Sequence, residues 1–336
     1  MKKILLLIIS SALLILNCSA QTWSPMGTNF AFNAQCFAEY NGELYAGTGL
    51  SDEIKGICKL EGNKWVNIGG GLGYGSNMAS KDVVVKAFAV YKDELYLGGL
   101  FGTAGGKKVT SVARWNGKEW NTVGESLLGN PPPSIDEFLV YNNELYAWGT
   151  FTIKVGKKKY YNAAKWDGEK WTPIQDWDGK EWITVGEDYH TDSFYLADAY
   201  VLNNEYYSYG GCDNKEGDYA SYVRIWDETK WARLSKQTGN LAGVSDIAVY
   251  NGALFAAEAF GEDMSTIFVQ DKDAKKTKSI KKWNGSEWVS CGVIDRPVQC
   301  MFVYHGELIV TGLFKEVGGK EIKYMARYKE EIKDEE

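Results

Sequence analysis

Apolar and polar residues alternate along this chain in short runs, such as "VVVKAFAVY", "ELYLGGLF", "TSVARW" and "EWNTVG". The period is two, and the apolar members are mostly Val, Tyr, Phe and Trp, which fit a pleated and half-buried strand. The runs are separated by Asn-Gly, Asp-Gly or close relatives. Those pairs accept positive φ at both central positions of a type I′ hairpin turn, so tight hairpins are predicted throughout. No segment outside the first twenty residues carries a convincing amphipathic-helix pattern.

The strands come in a repeating order. "YNGELYAG" from Tyr40 returns as "YKDELYLGG" from Tyr91, "YNNELYAWG" from Tyr141, "LNNEYYSYG" from Leu202, "YNGALFAAE" from Tyr250 and "YHGELIVTG" from Tyr304. The steps are 51, 50, 61, 48 and 54 residues. The long step has an internal cause: Trp166-Asp167-Gly168 is repeated eleven residues later as Trp177-Asp178-Gly179, and removing that offset restores 50. One copy is therefore expected as an extra hairpin or a protruding loop. Self-similarity at this period marks a propeller or a solenoid.

A second motif follows each of the first. "ARWNGKEWNTVG" (113–124) has relatives in "AKWDGEKW", "DWDGKEW", "RIWDETKW" and "KKWNGSEW". With a two-residue turn Trp120 lies opposite Ala113; with a four-residue loop it faces Trp115 directly. Either register puts both rings on one face, where aromatic pairs stabilise a sheet. Each repeat is thus two hairpins, a four-stranded sheet with two apolar faces. Stacking such sheets around an axis buries both faces. The sixth repeat ends at "MARYKEE" without its last strand, and the missing Trp-x-x-x-Gly lies at the other end as Trp23 to Gly27. The expected fold is all-β: a six-bladed propeller over 21–329, its last blade completed by the N-terminal strand, with an acidic tail at 330–336.

These motifs resemble the kelch-like repeats of bacterial secreted propellers described as galactose-oxidase-like, best in "LYLGGLF" with Gly98 and Gly99. The resemblance implies a propeller used for binding, adhesion or carbohydrate contact. It implies no particular reaction, because blade motifs specify packing.

The first twenty residues read as an export signal. "MKK" is a basic start, "ILLLIISSALLIL" an apolar stretch, and "CSA" a small-residue cleavage site ending at Ala20. Export to the periplasm or the medium follows. The alternative is a lipoprotein anchored at Cys18, against which Asn17 stands where Gly, Ala or Ser is usual. No later apolar run approaches the roughly 20 residues of a membrane span.

Composition narrows the partners. The net charge of −7 becomes −9 without Lys2 and Lys3, which argues against nucleic acid or anionic lipid as partner. Five cysteines remain behind the leader, with no C-x-x-C pair, so neither a zinc site nor a dense disulfide framework is expected. Cys36 and Cys300 hold equivalent places in the first and last repeats and are expected as free thiols. No cofactor or metal is called for, and a monomer is expected.

Counting back from each hairpin turn aligns Cys36, Ala87, Glu137, Asp198, Asp246 and Cys300 on the first, innermost strands. Three carboxylates would share one height at a channel mouth, raising one another's pKa or holding a cation, or accepting backbone N–H bonds instead. Lys86, Asp136 and Gln299 stand one residue nearer the variable loops. The candidate binding set is therefore Lys86, Asp136, Glu137, Asp198, Asp246 and Gln299. The only histidines are His190 and His305, which is too few for a copper-radical site and a poor basis for a Ser-His-Asp triad. A glycosidase would need two carboxylates about 5–10 Å apart. The reading favours a non-catalytic binder of a glycan or extracellular protein, with a carbohydrase using the channel-mouth carboxylates as the alternative.

Overall fold

A computed structural model describes residues 21–27, 34–50, 54–75, 83–124, 127–129, 132–141, 143–177, 182–184, 198–202, 205–213, 219–226, 231–233, 244–258 and 278–330, with backbone alone over 175–233. The export signal and the acidic tail expected from the sequence, apart from Glu330, lie outside this set. All of its regular structure is strand, and no helix among the described residues is long and apolar enough to cross a membrane.

The strands form four-stranded antiparallel units in chain order. In the second unit, Val84–Tyr91 pairs with Glu94–Leu100, then Val112–Trp115, then Trp120–Thr122. A bridge from Gly49 to Val84 joins this unit to the first, giving one curled eight-stranded sheet. The duplicated motif does make a separate two-stranded hairpin, Gln175–Trp177 with Trp182–Thr184. The last unit is completed from the other end of the chain: Gln21–Pro25 pairs with Met325–Glu330, placing Trp23 opposite Tyr328.

The two hairpins of a unit turn differently. First hairpins have the expected type I′ geometry, with positive φ at both Asn41 and Gly42, Lys92 and Asp93, Asn251 and Gly252, and His305 and Gly306. Second hairpins mostly do not. Trp115 faces Trp120, Trp166 faces Trp171 and Trp283 faces Trp288, across loops of four residues. The reason is a side chain. Asn116 Oδ1 accepts the N–H groups of Lys118 and Glu119, both at 2.9 Å, and Asp167 and Asn284 do the same in their loops. The Asx turn mimics a backbone turn and opens the loop by two residues. The paired rings lie 5.0–5.3 Å apart.

Neighbouring units are joined by two recurring hydrogen bonds. The tyrosine ending an inner strand donates to the turn carbonyl of the next unit: Tyr40 to Asp93 (2.9 Å), Tyr91 to Asn143 (3.2 Å) and Tyr304 to Gly42 (3.1 Å). The fourth-strand tryptophan donates back to the preceding unit: Trp120 to Gly69 (3.0 Å), Trp171 to Val123 (3.3 Å) and Trp23 to Cys291 (3.2 Å). The Tyr304 bond runs from the last unit to the first. Phe37 and Phe302 pack at the same junction, 6.0 Å apart, in a core shared with Ile309 and Met325. Tyr250 departs from the rule, its hydroxyl accepting from Glu330 N at 3.3 Å.

Candidate functional site

Each described inner strand with a complete first hairpin carries the same irregularity. The pairing register slips between Ala34 and Cys36, Val85 and Ala87, Ile135 and Glu137, Val244 and Asp246, and Val298 and Cys300. A bulge leaves one residue unpaired, bends its strand and re-aims a side chain. The extra residues are Gln35, Lys86, Asp136, Ser245 and Gln299, five polar side chains at one height. They lie near the strand ends remote from the type I′ turns. Opposite two of the bulges stand glycines. A Cβ on Gly99 would strike the Val84 carbonyl oxygen, and one on Gly149 would strike that of Ser134.

Of the residues expected from the sequence, Lys86, Asp136 and Gln299 are these bulge residues, all exposed. The first two meet. Lys86 Nζ lies 2.6 Å from Asp136 Oδ1, across the boundary between the second and third units, and Ser134 Oγ donates to the same oxygen at 2.9 Å. An exposed pair of this kind stabilises by at most about 1 kcal/mol. Its consequence is to cancel the charge of the row, leaving two amides, the Ser245 hydroxyl and one internal ion pair.

Of the two roles the sequence leaves open for the aligned carboxylates, Asp246 takes the second, accepting backbone N–H groups. Glu137 and Asp246 are equivalent, each the first residue after its bulge, opposite Trp148 and Ala257. Asp246, however, is buried at 5% exposure. Its Oδ1 accepts Ile247 N at 2.8 Å and its Oδ2 accepts Met301 N at 2.5 Å, from the next unit's inner strand. This carboxylate ties two units together and does not face an open mouth. Glu137 is half-buried. Asp198 opens the strand Asp198–Leu202 opposite Tyr209, and its side chain lies outside the described residues. Among the described residues no cluster of three His, Cys, Asp or Glu could hold a metal.

Gln35 and Ser245 are absent from the sequence-derived set. Both lie five residues before the tyrosine of their repeat, as do Lys86, Asp136 and Gln299. That recurrence of polar residues was the available signal. Cys36 follows the first bulge residue: its Sγ approaches Val85 O of the next unit at 3.8 Å, and burial pushes its pKa well above the ordinary thiol range. Cys36, Cys58, Cys291 and Cys300 are all free.

No protein-family model matches the chain, and no curated protein matches it. Among solved structures, an alpha-L-arabinofuranosidase from Clostridium thermocellum is similar over 80% of this chain and 95% of that one, with 14% identity and a TM-score of 0.36.

Proposed function

We propose that the chain is a six-bladed, kelch-like β-propeller, exported after cleavage behind Ala20, that binds a neutral glycan or a polar protein surface without transforming it. The ligand sits across the inner-strand bulges, at the mouth of a central channel. The observation that carries this reading is the row Gln35, Lys86, Asp136, Ser245 and Gln299, repeated at one register position. The Gln35 and Gln299 amides supply both donors and acceptors to a hydroxyl-rich ligand, and the Ser245 hydroxyl, which donates to Ala257 O at 3.4 Å, can still accept. The channel itself is supported by the Tyr304 bond to Gly42, which repeats between last and first units the bond made inside the chain.

Binding is favoured over hydrolysis by the state of the carboxylates. A glycosidase needs one carboxyl able to deliver a proton and another free to act as base or nucleophile. Both Asp246 oxygens are occupied by backbone N–H groups, and Asp136 is held by Lys86 and Ser134. The test is a glycan array with the purified protein beside a Gln35→Ala/Gln299→Ala variant. The reading expects a defined set of neutral glycans whose signal falls about tenfold in the variant, the loss of roughly two modest hydrogen bonds. Release of reducing ends by the wild type, abolished by Glu137→Gln, would replace it with a carbohydrase.

A further inference from the structure

The hairpin between the second and third strands differs among units in a way that packing does not explain. In the second unit it is short, Thr103–Ala104 with Lys107–Lys108, and Lys107 Nζ donates to Trp120 O at 2.7 Å and to Glu119 at 2.9 Å. In the sixth, Lys320 Nζ donates to Trp23 O at 2.9 Å in the same manner. Each of these hairpins is also bridged to the preceding unit, Ala104 to Leu72 and Val317 to Ile294. The third unit has the equivalent bridge, Leu128 to Thr152. Beyond it, however, after a register slip between Trp148 and Thr152, Glu144–Val155 and Lys158–Trp166 stay paired out to a turn at Gly156 and Lys157.

That ladder places like charges together. Lys154 stands directly opposite Lys159, and Thr152 directly opposite Tyr161, on the same face. Directly opposed like charges destabilise a sheet. Lys154, Lys157 and Lys159 are exposed, and among the described residues none has a carboxylate within ion-pair distance. Tyr161 is exposed beside them at 41%. Local rules broken without a compensating contact concentrate at functional sites. In a protein of net charge −7, the hairpin is a concentrated positive surface with an aromatic ring at its edge.

We propose that this face of the hairpin, Lys154, Lys159 and Tyr161 with Lys157 at its tip, binds an anionic polysaccharide. The two opposed ammonium groups take a carboxylate or sulfate of the sugar, and the Tyr161 ring packs on the apolar face of a pyranose. Lysine suits this task as a compact charge with three donors. A polysaccharide is favoured over nucleic acid or membrane because the protein as a whole carries a net charge of −7 and would repel a stiff polyanion or a charged surface that spreads over it, whereas a flexible sugar chain can cross one hairpin. The inference goes beyond the neutral ligand assigned to the bulge row, resting on that reading only in the choice of a glycan.

The test uses the full purified protein with polygalacturonate and dextran sulfate, each against its uncharged counterpart (methyl-esterified polygalacturonate, dextran), in affinity electrophoresis at 50 mM and 300 mM salt. At least one charged polymer should retard the wild type, the neutral ones should not do so through this hairpin, and high salt should weaken the retardation. Lys154→Gln/Lys159→Gln should bind about tenfold more weakly, and Tyr161→Ala should weaken binding while leaving its salt dependence intact. Because the Gln variant relieves a repulsion, its melting temperature should equal or exceed that of wild type, which separates lost binding from lost folding. Unchanged retardation in the double variant overturns the proposal, as does equal retardation by duplex DNA or by phosphatidylglycerol vesicles. The Gln35→Ala/Gln299→Ala variant should keep the polyanion response, so failure at one site is distinguishable from failure at the other.

Discussion

Trp23 faces Tyr328 across a strand boundary with ring centroids 4.9 Å apart, although the two residues lie at opposite ends of the described chain. Trp23 repeats three contacts that Trp120 makes inside a continuous unit. Its indole N–H donates to the preceding unit, its carbonyl oxygen accepts a hairpin lysine, and a hairpin glycine, Gly318 like Gly105, lies against its ring. The N-terminal strand is therefore the fourth strand of the last unit in its chemistry as well as its pairing.

Removing that ring should be costly. Trp23 is 3% exposed, and truncating a buried aromatic side chain to alanine costs about 3–5 kcal/mol. Trp23→Ala should lose that much in urea denaturation, and Trp120→Ala a similar amount. A Trp23→Ala loss below about 1 kcal/mol would mean that the strand does not close the last unit in solution.

The tyrosine bonds offer an internal control. Tyr40→Phe and Tyr91→Phe each remove one hydrogen bond to a turn carbonyl, worth about 1 kcal/mol net. Tyr304→Phe removes the bond to Gly42 that joins the last unit to the first. Its cost should match theirs. A neutral Tyr304→Phe beside two destabilising variants would show that the last and first units are not held together there in solution.

The Asx loops predict a difference in acid. Backbone N–H groups of Lys170 and Glu169 hold the Asp167 carboxyl below the usual carboxylate range. A pKa lower in the folded than in the unfolded state stabilises at neutral pH, and that contribution disappears as pH falls through the folded value. Asn116 and Asn284 make the same bonds with a group that does not titrate. Asp167→Asn should match wild type at pH 7 and fall off less steeply below pH 4, a comparison that urea titrations at pH 7 and pH 3 can make. An identical acid slope would remove the loop carboxylate from the pH response.

The thiols should be inert in the folded protein. Burial raises the pKa of Cys36 and Cys58 far above the ordinary range and pushes Cys291 up to about 11, so little thiolate exists at pH 8 to act as nucleophile. Iodoacetamide should modify them only after denaturant is added. Peptide mapping without reduction decides the point: rapid native alkylation of Cys36, or a linked Cys36–Cys300 peptide, contradicts it.

Much of the fold was legible because strand periodicity and turn chemistry are local. The type I′ turns at Asn41-Gly42 and Asn251-Gly252 follow from two residues that tolerate positive φ, and the fifty-residue repeat announces units that cannot bury their faces alone. The four-residue step from tryptophan to glycine was also visible in the sequence, and its cause is now evident. A Cβ on Gly27 would lie 2.6 Å from Trp65 Nε1, and one on Gly292 would lie 2.7 Å from Trp23 Nε1. The glycine leaves room for the next unit's indole.

The site was only half legible. Lys86, Asp136 and Gln299 follow from counting back from the turn, and the same count reaches Gln35 and Ser245; the register slip that leaves all five unpaired has no local sequence signal, because it depends on how the partner strand is paired. Asp246 shows the limit most clearly. From its own strand it is an acidic residue level with Glu137; that its second oxygen meets Met301 N depends on where the next unit's strand lies. The main strands, their pairing into hairpins and the type I′ turns of the first hairpins are read from the sequence, since each depends on residues a few positions apart. Which polar groups stay exposed and which are consumed between units depends on the tertiary structure, because a buried carboxylate takes whatever backbone donor the neighbouring sheet brings within reach.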